Sequence, residues 1–129
     1  MDEKFKRQME ENGADVDTVI NRFMGKEDLY MKFIVKFLKD ENYAGTVKSI
    51  EEGNYEAVFN YAHSLKGVTA NLGLEPVRAV AADIADLLRG KQPQEVDKEQ
   101  LSEYKKELEK SYESFKRIIE ENIKQDNIS

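Results

Sequence analysis

The chain has 129 residues, 36% of them charged, and a net charge of −6, with no cysteine, a single histidine and two prolines. That length suits one domain around a single core. The lack of cysteine excludes disulfides and thiolate metal sites, and the acidic balance argues against a nucleic-acid binder, which needs a basic face to displace counterions. No run is apolar enough to span a bilayer, and the charged opening MDEKFKRQMEENGAD is neither a signal peptide nor a lipidation motif, so a soluble cytoplasmic protein is expected, without a membrane partner.

Apolar residues recur at intervals of three and four and never alternate for long, which predicts an all-α chain. FKRQMEEN gives a short first helix with Phe5 and Met9 on one side, stopped by Asn12 and Gly13. In DVDTVINRFMG, Asp15 is an N-cap and Val16, Val19, Ile20 and Phe23 form one stripe. KEDLYMKFIVKFLKDEN predicts a helix over 27–41 whose wide apolar face is Leu29, Tyr30, Phe33, Ile34, Phe37 and Leu38. A further helix is predicted over 43–52, with Val47 and Ile50 inward, and Gly53 ends it.

Asn54 then caps a helix over 55–72 that Gly73 closes. Pro76 fits the first turn of the following helix, where its missing N–H is harmless. Val77, Val80, Ile84 and Leu87 or Leu88 make its stripe, and the alanines at 79, 81, 82 and 85 let a neighbour come close. GKQPQEV is a loop, and a long last helix over 98–124 carries Leu101, Tyr104, Leu108, Phe115, Ile118, Ile119 and Ile123 at heptad-like spacing. Long amphipathic helices with short connections predict a single domain over 1–129, an antiparallel up-down-up-down four-helix bundle with the short N-terminal helices as a cap.

The stretch AHSLKGVTANLGL places the only histidine in the middle of a helix, one turn ahead of a glycine that costs about 1 kcal/mol relative to alanine. On a wheel of ~100° per residue, Val58, Ala62, Leu65, Thr69 and Leu72 cluster within roughly 80° as the core stripe. His63 points about 140° from its centre on the same wheel. Lys66, Gly67 and Ala70 follow His63 by steps of three and four and share its face, with Phe59 at the border. The imidazole thus stands in water, with a cation in reach and no side chain at 67 to cover it. This suits transfer of a small anionic group, and phosphoryl fits best. A neutral ring nitrogen can attack the phosphorus of an acyl phosphate in line, a reaction that needs chiefly positioning and charge stabilisation. Lys66 offsets part of the negative charge. Mg²⁺ has to come from the partner, since the chain has no obvious metal site or cofactor motif.

The same stretch closely resembles the signature of histidine-containing phosphotransfer (HPt) domains, roughly His-x-Leu-Lys-Gly, four residues, then Leu-Gly. Here these are His63, Leu65, Lys66, Gly67, Leu72 and Gly73. NRFMGKEDLYMKFIVKFLKD and SIEEGNYEAVFNYAHSLKG resemble the family's upstream helix and its turn into the motif helix, so the resemblance covers residues 15–90. It implies that His63 accepts a phosphoryl group from the phospho-aspartate of one receiver domain and passes it to another, as a phosphocarrier with no kinase activity. Lys66 would steady the phosphate and Gly67 would keep the approach open, while Leu65, Leu72 and Gly73 are structural. The implied partners are response-regulator receiver domains or a hybrid histidine kinase, met by a monomer. Val68 stands where the family often has serine or alanine, a departure expected to alter packing. Phe59, Ser64, Ala70 and Asn71 are the candidates for partner contact, joined by Met31, Val35 and Leu38 from the helix over 27–41.

A di-metal bundle needs Glu-x-x-His on two helices and fails here, with one histidine and Asn60 three residues before it. Nothing resembles a nucleophile elbow, a P-loop or a dinucleotide motif. The serious alternative is a helical adaptor that binds a partner without phosphotransfer, for which the long last helix would serve equally well. The charge runs at the N-terminus and over 103–113 are solvated faces.

Overall fold

The computed structural model describes the backbone of residues 1–128 and the side chains of residues 1–123. Among the described residues seven α-helices follow one another: α1 (Glu3–Glu11), α2 (Val16–Arg22), α3 (Glu27–Phe37), α4 (Glu41–Glu52), α5 (Tyr55–Leu72), α6 (Glu75–Leu88) and α7 (Lys98–Ile128), with a 3₁₀ turn at Pro93–Glu95. No strand occurs among the described residues. The protein is an all-helical bundle. α5 packs against α4 and α6, and both of these pack on α7, which closes the ring. α1 lies against α7, where Phe5 and Met9 bury, while α2 and α3 pack on α5.

Helix starts are set by side-chain caps. Asp2, Asp40 and Asn54 accept from Lys4 N, Asn42 N and Ala57 N at 2.9, 2.8 and 3.2 Å. Asp40 also accounts for a shifted boundary. The apolar spacing predicts a single helix to 41, but the backbone at Asp40 is extended (ψ 132°), so α3 ends at Phe37 and α4 begins at Glu41. α7 runs 31 residues, about 46 Å at 1.5 Å per residue.

The core joins Tyr30, Ile34 and Phe37 of α3, the α5 stripe, Val77, Val80, Ala81, Ile84, Ala85 and Leu88 of α6, and Leu101, Leu108, Tyr112, Phe115 and Ile119 of α7. Ala81 and Ala85 are the alanines that sink fully against neighbours, at 0% and 1% exposure, and they allow the close approach of α6. α4 departs from its expected inward face. Its buried residues are Thr46 and Ser49, with Val47 and Ile50 half-buried beside them. Both hydroxyls are satisfied within the helix, Thr46 Oγ1 donating to Asn42 O and Ser49 Oγ to Gly45 O, each at 2.7 Å. The short polar side chains keep α4 close to the bundle: the Tyr61 ring of α5 lies directly over Gly45, where an added Cβ would sit 2.5 Å from it.

Among the described residues, no helix is long and apolar enough to cross a membrane.

Candidate functional site

The candidate site is built on α5, and the helix is fixed in rotation by its buried stripe. Val58, Ala62, Leu65 and Thr69 are fully buried and Leu72 nearly so, as the wheel requires. The Thr69 hydroxyl, the one polar group on that stripe, donates to Leu65 O at 2.7 Å. The C-terminal end is locked by Gly73, left-handed at φ 72°, and by Leu74 N–H donating back to Thr69 O at 2.9 Å. Gly73 also receives α2: Asp15 N–H donates to Gly73 O at 2.9 Å. A Cβ on Gly73 would lie 2.6 Å from Val19 Cγ2 and 2.8 Å from Asp15 O.

With the stripe inward, the opposite face carries His63, Ser64, Gly67 and Asn71 exposed and Phe59, Lys66 and Ala70 half-buried. The predicted set is therefore brought together on one surface. A Cβ built on Gly67 meets nothing within 4 Å, so the space beside His63 is open. Among the described residues Lys66 enters no salt bridge, which leaves its ammonium available to an incoming anion. Val68 is half-buried against the core, consistent with a packing role.

Two further groups reach this face from other elements. The Phe59 and His63 rings lie nearly parallel, 12° apart with centroids at 6.1 Å, so Phe59 limits the imidazole's freedom on its N-terminal side. The Arg89 guanidinium, just past α6, sits over the Phe59 ring at 5.5 Å and pairs with Asp86 at 3.2 Å. Arg22, the last residue of α2, donates from Nη1 to Ala70 O at 3.2 Å. Sequence spacing gives no signal for either arginine, because both approach α5 through the tertiary fold. Met31 and Val35 are placed elsewhere: they line a groove of about 510 Å³ with Met1, Asn122 and Ile123, toward the α7 end of the bundle. Leu38 is half-buried against the core.

No cluster of three or more His, Cys, Asp or Glu side chains is placed to hold a metal among the described residues. The arrangement offers an exposed imidazole with Lys66 on the same helix face and open space over Gly67.

The chain matches the Hpt domain family over residues 3–116, which extends the likeness from the motif to the N-terminal helices and most of α7. No curated protein and no solved structure matches it. The chain belongs to the Hpt domain family, whose members are phosphocarriers, not kinases, and work with receiver domains and histidine kinases in phosphorelays.

Proposed function

We propose that this Hpt-family chain is a phosphorelay intermediate in which His63 takes a phosphoryl group from the phospho-aspartate of one receiver domain and gives it to the aspartate of another. The observation that carries the reading is the exposed imidazole on a helix face cleared by Gly67. An unprotonated ring nitrogen of His63 attacks phosphorus opposite the aspartyl oxygen. The N–P bond forms as the P–O bond breaks, and the carboxylate leaves on the receiver. The return step runs the same path backward onto a second aspartate. Barrier lowering comes from placement in line and from positive charge near the equatorial oxygens.

Lys66 supplies that charge from this chain. A unit cation about 4 Å from a unit anion gains about 1 kcal/mol in bulk water and more as the docked partner excludes solvent. Mg²⁺ belongs to the receiver in this reading, and the chain itself carries no cofactor. Phe59, Ser64, Ala70 and Asn71, which border the imidazole, form the contact surface. The chain acts as a monomer in the cytoplasm.

The test is a transfer profile against purified phosphorylated receiver domains of the source genome. Label should move to the protein in a form labile to acid and stable to base, as a phosphoramidate is, and His63→Gln should accept none. Lys66→Ala should slow transfer or shorten the lifetime of the phosphoprotein while helical circular dichroism stays unchanged. Label on serine or aspartate, or acceptance by His63→Gln, refutes the assignment and leaves the adaptor reading.

A further inference from the structure

A groove of about 320 Å³ opens between the first turns of α5 and the segment that follows α6. Tyr55, Phe59, Leu88 and Pro93 wall it, and the exposed Glu56 and Lys91 line it as well. Phe59 is shared with the site, since the same ring stacks on His63 and carries Arg89. Glu56, Phe59 and His63 are related by steps of three and four, so groove and imidazole lie on one face of α5, about 10 Å apart along the axis. A body that reaches the imidazole across this face covers Phe59 and with it the groove's edge.

The charges around the groove indicate what that body carries. Arg89 is matched by Asp86 at 3.2 Å, but Lys91 on the groove and Lys66 beside His63 have no salt bridge among the described residues. In a chain of net charge −6, these two lysines put positive charge on the site's face, and Glu56 is the acidic residue among those lining the groove. We infer that the groove is a second contact point for the receiver domain, which seats an apolar side chain against Tyr55, Phe59 and Leu88 and sets acidic residues against Lys91 and Lys66. This inference rests on the reading of His63 as phosphoacceptor, and it places the selection among receivers in the segment after α6.

Two measurements test it, both on the full chain with the receiver that transfers fastest in the profile. In NMR titration with that receiver, backbone resonances of Tyr55, Leu88, Gly90 and Lys91 should shift together with those of His63 and Gly67. In kinetics, Lys91→Glu should lower the second-order transfer rate about fivefold at low salt, and Glu56→Gln should raise it up to about twofold. Both effects should fade near 0.5 M salt, where the screening length falls to roughly 4 Å. Labelling of His63 by phosphoramidate, a small donor that needs no docking, should be unchanged in both variants. Shifts at His63 without shifts at the groove, or transfer by Lys91→Glu at the wild-type rate at every salt concentration, overturn the inference and leave the His63 reading standing. Labelling by phosphoramidate with no transfer from any receiver also overturns it. Failure of phosphoramidate and receivers alike to label His63 overturns the functional reading, and the inference with it.

Discussion

Gly67 is where fold and function make opposite demands. In an α-helix each Cα–Cβ bond tilts toward the N-terminus, so a side chain at 67 would lean back over residue 63 one turn earlier. The fold does not need the glycine, because a Cβ there meets nothing within 4 Å and the backbone is ordinary helix. Gly67→Ala should therefore stabilise the protein by about 0.5–1 kcal/mol, through helix propensity and a less flexible unfolded chain. For a domain of this size that is a rise in Tm of roughly 2–4 °C. Gly67→Gln should be at least as stable as wild type and yet transfer about 100-fold more slowly, since displacing the reactants by about 1 Å from in-line geometry has that effect. Urea or thermal denaturation followed by circular dichroism gives the first quantity, and single-turnover transfer from a phosphorylated receiver gives the second. If Gly67→Ala destabilises the fold, the glycine has a packing role. If Gly67→Gln transfers at the wild-type rate, the open space beside His63 has no part in the reaction.

Tyr30 is fully buried, and among the described residues its hydroxyl has no hydrogen-bond partner. Burial pushes its pKa up, with a smaller contribution from Glu10. Tyr30→Phe should raise stability by about 1 kcal/mol in urea denaturation, because an unsatisfied polar group is removed without a change of shape. Gly73→Ala should lower stability by about 2 kcal/mol or more, from the left-handed backbone and the contact with α2 together. Unfolding midpoints decide both, and an unchanged midpoint for Gly73→Ala would refute the docking of α2 on that turn. Glu75 titrates below its ordinary value, chiefly because Arg78 donates to its carboxylate from Nε at 2.8 Å. A depressed carboxyl pKa contributes stability above its unfolded pKa that is lost as pH falls through the folded one. Arg78→Gln should return the Glu75 carboxyl resonance to an ordinary titration midpoint and remove that small contribution, which solvent screening limits for so exposed a pair.

The motif helix was fully legible in the sequence, because its stripe of Val58, Ala62, Leu65, Thr69 and Leu72 follows helical period without interruption and so fixes where His63 points. The division of residues 27–52 into two helices is legible too, but the position of the break is not. Apolar residues continue to Leu38, and only the cap at Asp40 breaks the backbone there. The inner face of α4 was invisible to hydrophobic patterning because Thr46 and Ser49 are polar and satisfy their hydroxyls locally. Tyr112 in α7 is absent from the predicted stripe, yet it stacks on Tyr43 at 3.6 Å and meets Phe37 edge-on at 5.7 Å. Arg22 and Arg89 reach the His63 face from other helices, and no local spacing encodes such an approach.

The two-residue connections around α5 also bear on how the chain acquires its shape. Gly53–Asn54 and Gly73–Leu74 join α4, α5 and α6 with almost no intervening backbone, so these helices meet at small loop-closure entropy and should assemble early. α1 finds its place on α7 only after nearly the whole chain has been laid down. The surface bearing His63 thus belongs to the quickly formed part of the molecule, and amide exchange should find α1 opening more readily than α5.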